Sequence, residues 1–167
     1  MDYLLRPART SDVRSIRRLV DANVSSGRLL NKATVTLYED VQEFLVAQRE
    51  TDARVVGCGA LHVMWEDLAE IRTIAVDEAS QGEGIGHSIV EALLSRGREL
   101  GVRRVFVLTF AVKFFGRLGF EEISGEAASP EVFAELLRSY DEGVAEFLDL
   151  DRVKPNTLGN TRMLLRL

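Results

Sequence analysis

The chain has 167 residues, 46% of them hydrophobic and 28% charged, with a net charge of -5. That length suits one domain spanning residues 1–167, able to bury about 70% of its unfolded surface without metal or disulfide. One cysteine, Cys58, excludes an intrachain disulfide. No apolar run approaches the ~20 residues that span a bilayer, and the start Met1-Asp2-Tyr3-Leu4-Leu5-Arg6 has no secretory character. The expectation is a cytoplasmic domain with no membrane partner. The acidic balance also argues against nucleic acid, which needs a basic face. Residues 121–151 hold ten acids and one base, Arg138, and are read as a solvated helix face. The cations are 18 arginines and three lysines. Guanidinium grips carboxylate or phosphate with two parallel bonds, so some arginines suit an anionic ligand.

In chain order, Tyr3 to Arg6 is predicted as a first strand. Thr10-Ser11-Asp12 then offers caps for a helix with apolar Val13, Ile16, Leu19 and Val20, spaced by three and four. After a Ser-Ser-Gly loop comes a short helix through Thr34–Val41. Strands follow at Glu43–Arg49, Arg54–Trp65 (with Gly57 and Gly59 inside it, a candidate bulge) and Leu68–Val76. Their two short connections imply an antiparallel meander. A Gly-rich turn, Gln81–Gly86, leads to an amphipathic helix ending near Leu100. Val105–Thr109 is fully apolar and so central. Further elements are a helix at Val112–Leu118, a strand at Phe120–Ile123, a helix at Pro130–Tyr140 and a closing strand at Met163–Leu167. The order predicts an α+β fold, an α/β/α sandwich around one sheet, since a parallel dinucleotide-binding domain has no such meander.

The segment Gln81-Gly82-Glu83-Gly84-Ile85-Gly86-His87-Ser88 joins a strand to a helix. Glycines there let a ligand approach the backbone, and the helix start presents free N–H groups to an anion. His87 breaks both the dinucleotide fingerprint and the P-loop spacing.

Gln81-x-x-Gly84-x-Gly86, after a strand ending Ile74-Ala75-Val76-Asp77 and before Phe114-Phe115-Gly116-Arg117-Leu118-Gly119-Phe120, resembles the acyl-CoA site of the GCN5-related N-acetyltransferases. Gly57-Cys58-Gly59-Ala60-Leu61, Ala69–Val76, Val105-Phe106-Val107-Leu108-Thr109 and Gly27–Lys32 resemble the short single-domain N-acetylglutamate synthases, over roughly residues 3–123. The resemblance implies a mixed, mostly antiparallel sheet flanked by helices. It implies acetyl-CoA as co-substrate and transfer to the α-amino group of glutamate, opening arginine biosynthesis. Glutamine or another small amine is an alternative acceptor. A non-catalytic acyl-CoA sensor is the alternative of another class.

The implied site has Glu70 as base and Thr109 as hydroxyl donor. Ile74, Ala75 and Val76 meet the pantetheine arm. Gln81, Gly82, Glu83, Gly84, Ile85, Gly86, His87 and Ser88 meet the pyrophosphate, with Phe115 beside the cofactor. Leu30, Lys32, Arg72 and Arg162 hold the amino acid. Phe115 stands where many relatives carry a tyrosine acid, so no phenol is available there. His62 and His87, 25 apart with no cysteine or aspartate cluster, do not make a metal site. Cys58 reads as a small buried residue. The family's pairing habit implies a homodimer.

Overall fold

The computed structural model describes residues 2–25, 29, 32–125, 127–157 and 159–167. Seven strands are hydrogen-bonded in the order β1 (Tyr3–Pro7), β2 (Phe44–Arg49), β3 (Val55–Trp65), β4 (Leu68–Val76), β5 (Arg104–Thr109), β7 (Thr161–Arg166) and β6 (Glu121–Glu122). The helices are α1 (Val13–Ser25), α2 (Thr34–Glu39), α3 (Ile85–Leu100), α4 (Val112–Arg117), α5 (Pro130–Leu136), α6 (Glu142–Phe147) and α7 (Lys154–Thr157). The sheet is mixed, mostly antiparallel and flanked by helices, the α+β class expected. The chain forms two compact units: Met1–His62 with Ile71–Gly97, and Val63–Glu70 with Arg98–Leu167.

In the first unit β1 lies at the sheet edge, antiparallel to β2 from Tyr3↔Arg49 to Pro7↔Leu45. An edge strand tolerates Pro7, which has no N–H to give. β2 and β3 pair antiparallel, and the register slips between Ala47↔Gly57 and Gln48↔Val55, so the bulge falls at Val56. The glycines beside it serve packing. A Cβ on Gly59 would stand 2.4 Å from Ile74 Cδ1 and 2.7 Å from Ile89 Cγ2, and one on Gly57 2.9 Å from Ile85 Cγ2. Bare backbone at these two positions lets α3 lie down on β3. Val13, Ile16, Leu19 and Val20 of α1 pack with Leu37, Phe44, Val46, Val55, Cys58, Ala60 and Ala75. The entrance to α1 is fixed by Asp12, not by Thr10. Its carboxylate accepts from Arg9 N at 2.7 Å and from both terminal nitrogens of Arg6 at 2.7 and 2.9 Å. Chiefly through that Arg6 bond, the Asp12 carboxyl is held below the usual carboxylate range, against its burial.

In the second unit β4 and β5 run parallel, Leu68↔Arg104 to Glu70↔Phe106. β7 then inserts antiparallel between β5 and β6. The core holds Met64, Leu68, Phe106, Leu136, Val144, Phe147 and Leu164, with Phe106 and Phe147 edge to face, 5.3 Å apart. Three sequence expectations change here. The strand at Phe120–Ile123 contracts to Glu121–Glu122. The helix at Pro130–Tyr140 stops at Leu136. The acidic stretch is not wholly a solvated face, because α6 buries Gly143 to Phe147, including Glu146.

Candidate active site

In the first unit, the end of β4 is clamped by Asp77. Its carboxylate pairs with Arg54 at 2.6 Å and Arg18 at 3.1 Å, and its N–H donates to Val56 O at 2.8 Å. Asp77 also accepts from Ala79 N, capping the 3₁₀ turn Glu78–Ser80 that delivers the chain to the glycine turn. Gly82 and Gly84 have φ of 83° and 82°, left-handed values that only glycine adopts freely. A Cβ at either would meet nothing within 4 Å, so the need is conformational. Ser88 N donates to Gly84 O at 3.0 Å. The N–H groups of Ile85, Gly86 and His87 therefore precede the first bond of the 16-residue α3 and stand at its positive end. That is the geometry of an anion seat on the turn the sequence singled out. Gln81 to Gly84 and His87 are exposed, Gly86 and Ser88 half-buried, and Ile85 buried in the core. The Tyr3 hydroxyl donates to Ser88 Oγ at 2.7 Å and braces this first turn against β1. His87 pairs with Glu91 one turn on, at 3.0 Å.

Ile74 and Val76 are half-buried and Ala75 is buried. Thr73 stands at φ 60°, a left-handed backbone that strains a β-branched side chain. It interrupts the regular course of β4 between Arg72 and Ile74. Lys32 and Arg72, both half-buried, are brought into one electrostatic neighbourhood around Asp40. The Lys32 carbonyl accepts from Arg17 Nη1, which ties the segment before α2 to α1. Burial pushes the Asp40 carboxyl up and neighbouring Glu43 adds to this, while Arg72, Lys32 and His62 pull it down. Glu43 Oε1 meets His62 Nδ1 at 2.6 Å. Leu30 lies outside the described residues. Cys58 is fully buried, its thiol pushed up to about 12 by burial.

In the second unit Glu70 is 4% exposed, opposite Phe106 across the parallel pair. An exposed strand carboxylate is thereby excluded. Thr109 ends β5, buried, with Oγ1 accepting from Ala111 N at 2.8 Å at the start of α4. Phe115 is buried between Phe114 and Phe120, both edge-on, at 5.0 and 5.3 Å. Arg162 gives Nη2 to Phe147 O and Nη1 to Gly125 O at 3.3 Å, both in its own unit, while its Nε is buried without a hydrogen-bond partner. Burial lowers the Arg162 pKa, opposed by Asp149.

Asp40, Glu43 and His62 joined Lys32 and Arg72 without any sequence signal. They come from the end of α2, a 3₁₀ turn and β3, and no spacing motif links them. Among the described residues no group of three or more His, Cys, Asp or Glu side chains could hold a metal ion.

Residues 14–120 match the model of the acetyltransferase (GNAT) family. The chain is 60% identical over 163 residues to an amino-acid acetyltransferase of Mycobacterium tuberculosis, covering 97% of this chain and 93% of that one. A crystal structure of a Mycobacterium tuberculosis protein in complex with CoA and NLQ is 60% identical, with TM-score 0.94 over 98% of this chain and 99% of that chain. An N-acetylglutamate synthase from Neisseria gonorrhoeae, complexed with coenzyme A and N-acetyl-glutamate, shares the fold at TM-score 0.78 and 21% identity; this chain spans 35% of its length. The chain thus belongs to the GNAT acetyltransferases, whose co-substrate is acetyl-CoA. Within them it falls among the amino-acid acetyltransferases.

Proposed function

We propose that the chain, as a single acetyltransferase domain, moves the acetyl group of acetyl-CoA to the α-amino group of L-glutamate, the opening step of arginine biosynthesis. L-Glutamine is the alternative acceptor. The observation that carries the reading is Glu70, a buried carboxylate two residues before Arg72 on a strand that continues into Ile74–Val76.

An α-amino group is mostly protonated at pH 7 and must lose a proton before it attacks. Glu70 takes that proton, directly or through one water. The freed nitrogen adds to the thioester carbon, and the charge on the thioester oxygen is received by a backbone N–H of β4. Collapse breaks the carbon–sulfur bond, and the surplus proton on the newly bonded nitrogen passes to the departing sulfur, giving the amide and free CoA. The CoA thiolate is a good leaving group, since a thiol pKa is about 8.5, so no phenol is needed where Phe115 stands. The Thr109 hydroxyl donates to the departing sulfur or orients a water toward it. The pyrophosphate rests on the N–H groups of Ile85, Gly86 and His87. Lys32 and Arg72 take the acceptor's carboxylates, while Arg162 keeps a supporting part in the same unit as Glu70. The enzyme works as a cytoplasmic homodimer on small molecules, without nucleic acid or membrane.

Release of free CoA is followed with glutamate and with glutamine as acceptors. Acetyl-CoA-dependent release with either supports the reading. Tight CoA binding with no release would make the protein a sensor instead.

A further inference from the structure

We propose that Asp40 and Glu43 are specificity-determining residues, setting how far the acceptor site prefers an amino acid with an anionic side chain over one with a neutral side chain. The inference rests on the reading that Lys32 and Arg72 hold the acceptor's carboxylates.

The groups concerned lie in one unit. Lys32 precedes α2 and Asp40 closes it; Glu43 ends the following 3₁₀ turn; His62 is on β3 and Arg72 on β4. Asp40 interacts electrostatically with each of the other four. Lys32 and Arg72 alone would draw a second carboxylate strongly, because both are only half exposed and poorly screened. Asp40 and Glu43 offset much of the positive charge of Lys32, Arg72 and His62 before any ligand enters. Such a site gains little from a second negative charge on the acceptor.

Glu43 also shows a place for a ligand. Its Oε1 is held by His62 at 2.6 Å, which fixes the carboxylate's orientation. Its Oε2 is buried and has no hydrogen-bond partner. A buried acceptor atom left without a donor is costly. A carboxamide N–H brought by the ligand's side chain would satisfy it. A carboxylate brought to the same oxygen would be repelled. Neutral side chains are therefore favoured at Glu43 both by charge and by hydrogen bonding.

The test is the ratio of kcat/KM for glutamate to that for glutamine, read in the wild-type enzyme, Glu43→Gln and Asp40→Asn. Both acceptors use the same acetyl-CoA, so damage to the fold or to the cofactor turn lowers them together and leaves the ratio alone. Each variant is expected to raise the ratio about tenfold. If Glu43→Gln fails to fold by circular dichroism, Asp40→Asn reads the same quantity. A ratio within twofold of wild type in the folded variants overturns the proposal and leaves the acetyltransferase reading intact. Wild-type enzyme that acetylates neither acceptor overturns both.

Discussion

Glu70 is the residue on which the chemistry turns. It is the third residue of β4 and the only acid in that strand, and it is almost wholly buried. A carboxylate in such a place is costly unless it is paired or hydrogen-bonded. Glu70→Gln keeps the shape and removes the base, so turnover should fall by about 10²–10⁴-fold with CoA affinity nearly unchanged. Steady-state rates together with calorimetric CoA titration check this, and normal turnover would refute the role. The sequence named Glu70, but its burial was not legible there. Alternation along β4 gives a face only while the strand is regular, and Thr73 breaks it: Leu68 to Ile71 are all buried, whereas from Arg72 on every second residue is half exposed. Lys32 and Arg72 were legible as cations. The carboxylates that temper them were not, because Asp40, Glu43 and His62 meet only through tertiary structure.

The elements that read best from sequence were those with a long period. β4 falls at its expected bounds, α3 ends where expected but begins at Ile85, inside the turn assigned to Gln81–Gly86, and α1 buries the positions its three-and-four spacing marked. α6 is not legible in the sequence because six residues are too few to display a period. Its cap is plain in retrospect, with Asp141 accepting from Val144 N at 3.1 Å. Between α5 and α6, Asp141 N donates to Ser139 Oγ at 3.1 Å. The glycine turn and α3 act as one element, since Gly84 both bends the chain and caps the helix. Gly84→Val should crowd the pyrophosphate and raise the KM for acetyl-CoA about tenfold or more, leaving the amino-acid KM unchanged. A change confined to the amino-acid KM would show that the turn serves another ligand.

At the scale of the whole molecule, Cys58 reports on global opening. It lies in the core of the first unit, fully buried, its thiol weakly donating to Thr73 O at 3.6 Å and ionising only near 12. Reagents attack the thiolate, so native protein at pH 8 should be labelled only as fast as that core opens. Labelling by a disulfide reagent should be rapid in denaturant and slow by orders of magnitude in buffer. Rapid labelling of the native state would mean that this unit opens locally. The strand order itself was only partly legible. The meander follows from its short connections, but nothing in residues 161–166 announces that they enter between β5 and β6.

That entry has a consequence for the order of events at the ribosome. Every partner of β1 to β4 on their own side of the sheet has emerged by Val76, so the first unit can gather while synthesis continues. β5 emerges long before β7, and until residues 161–166 follow, one side of β5 has an unfilled row of N–H and C=O groups and β6 has no partner at all. Completion of the second unit therefore waits for residues 161–166 to be made. The interval before they arrive is when a nascent copy is most open to pairing with another.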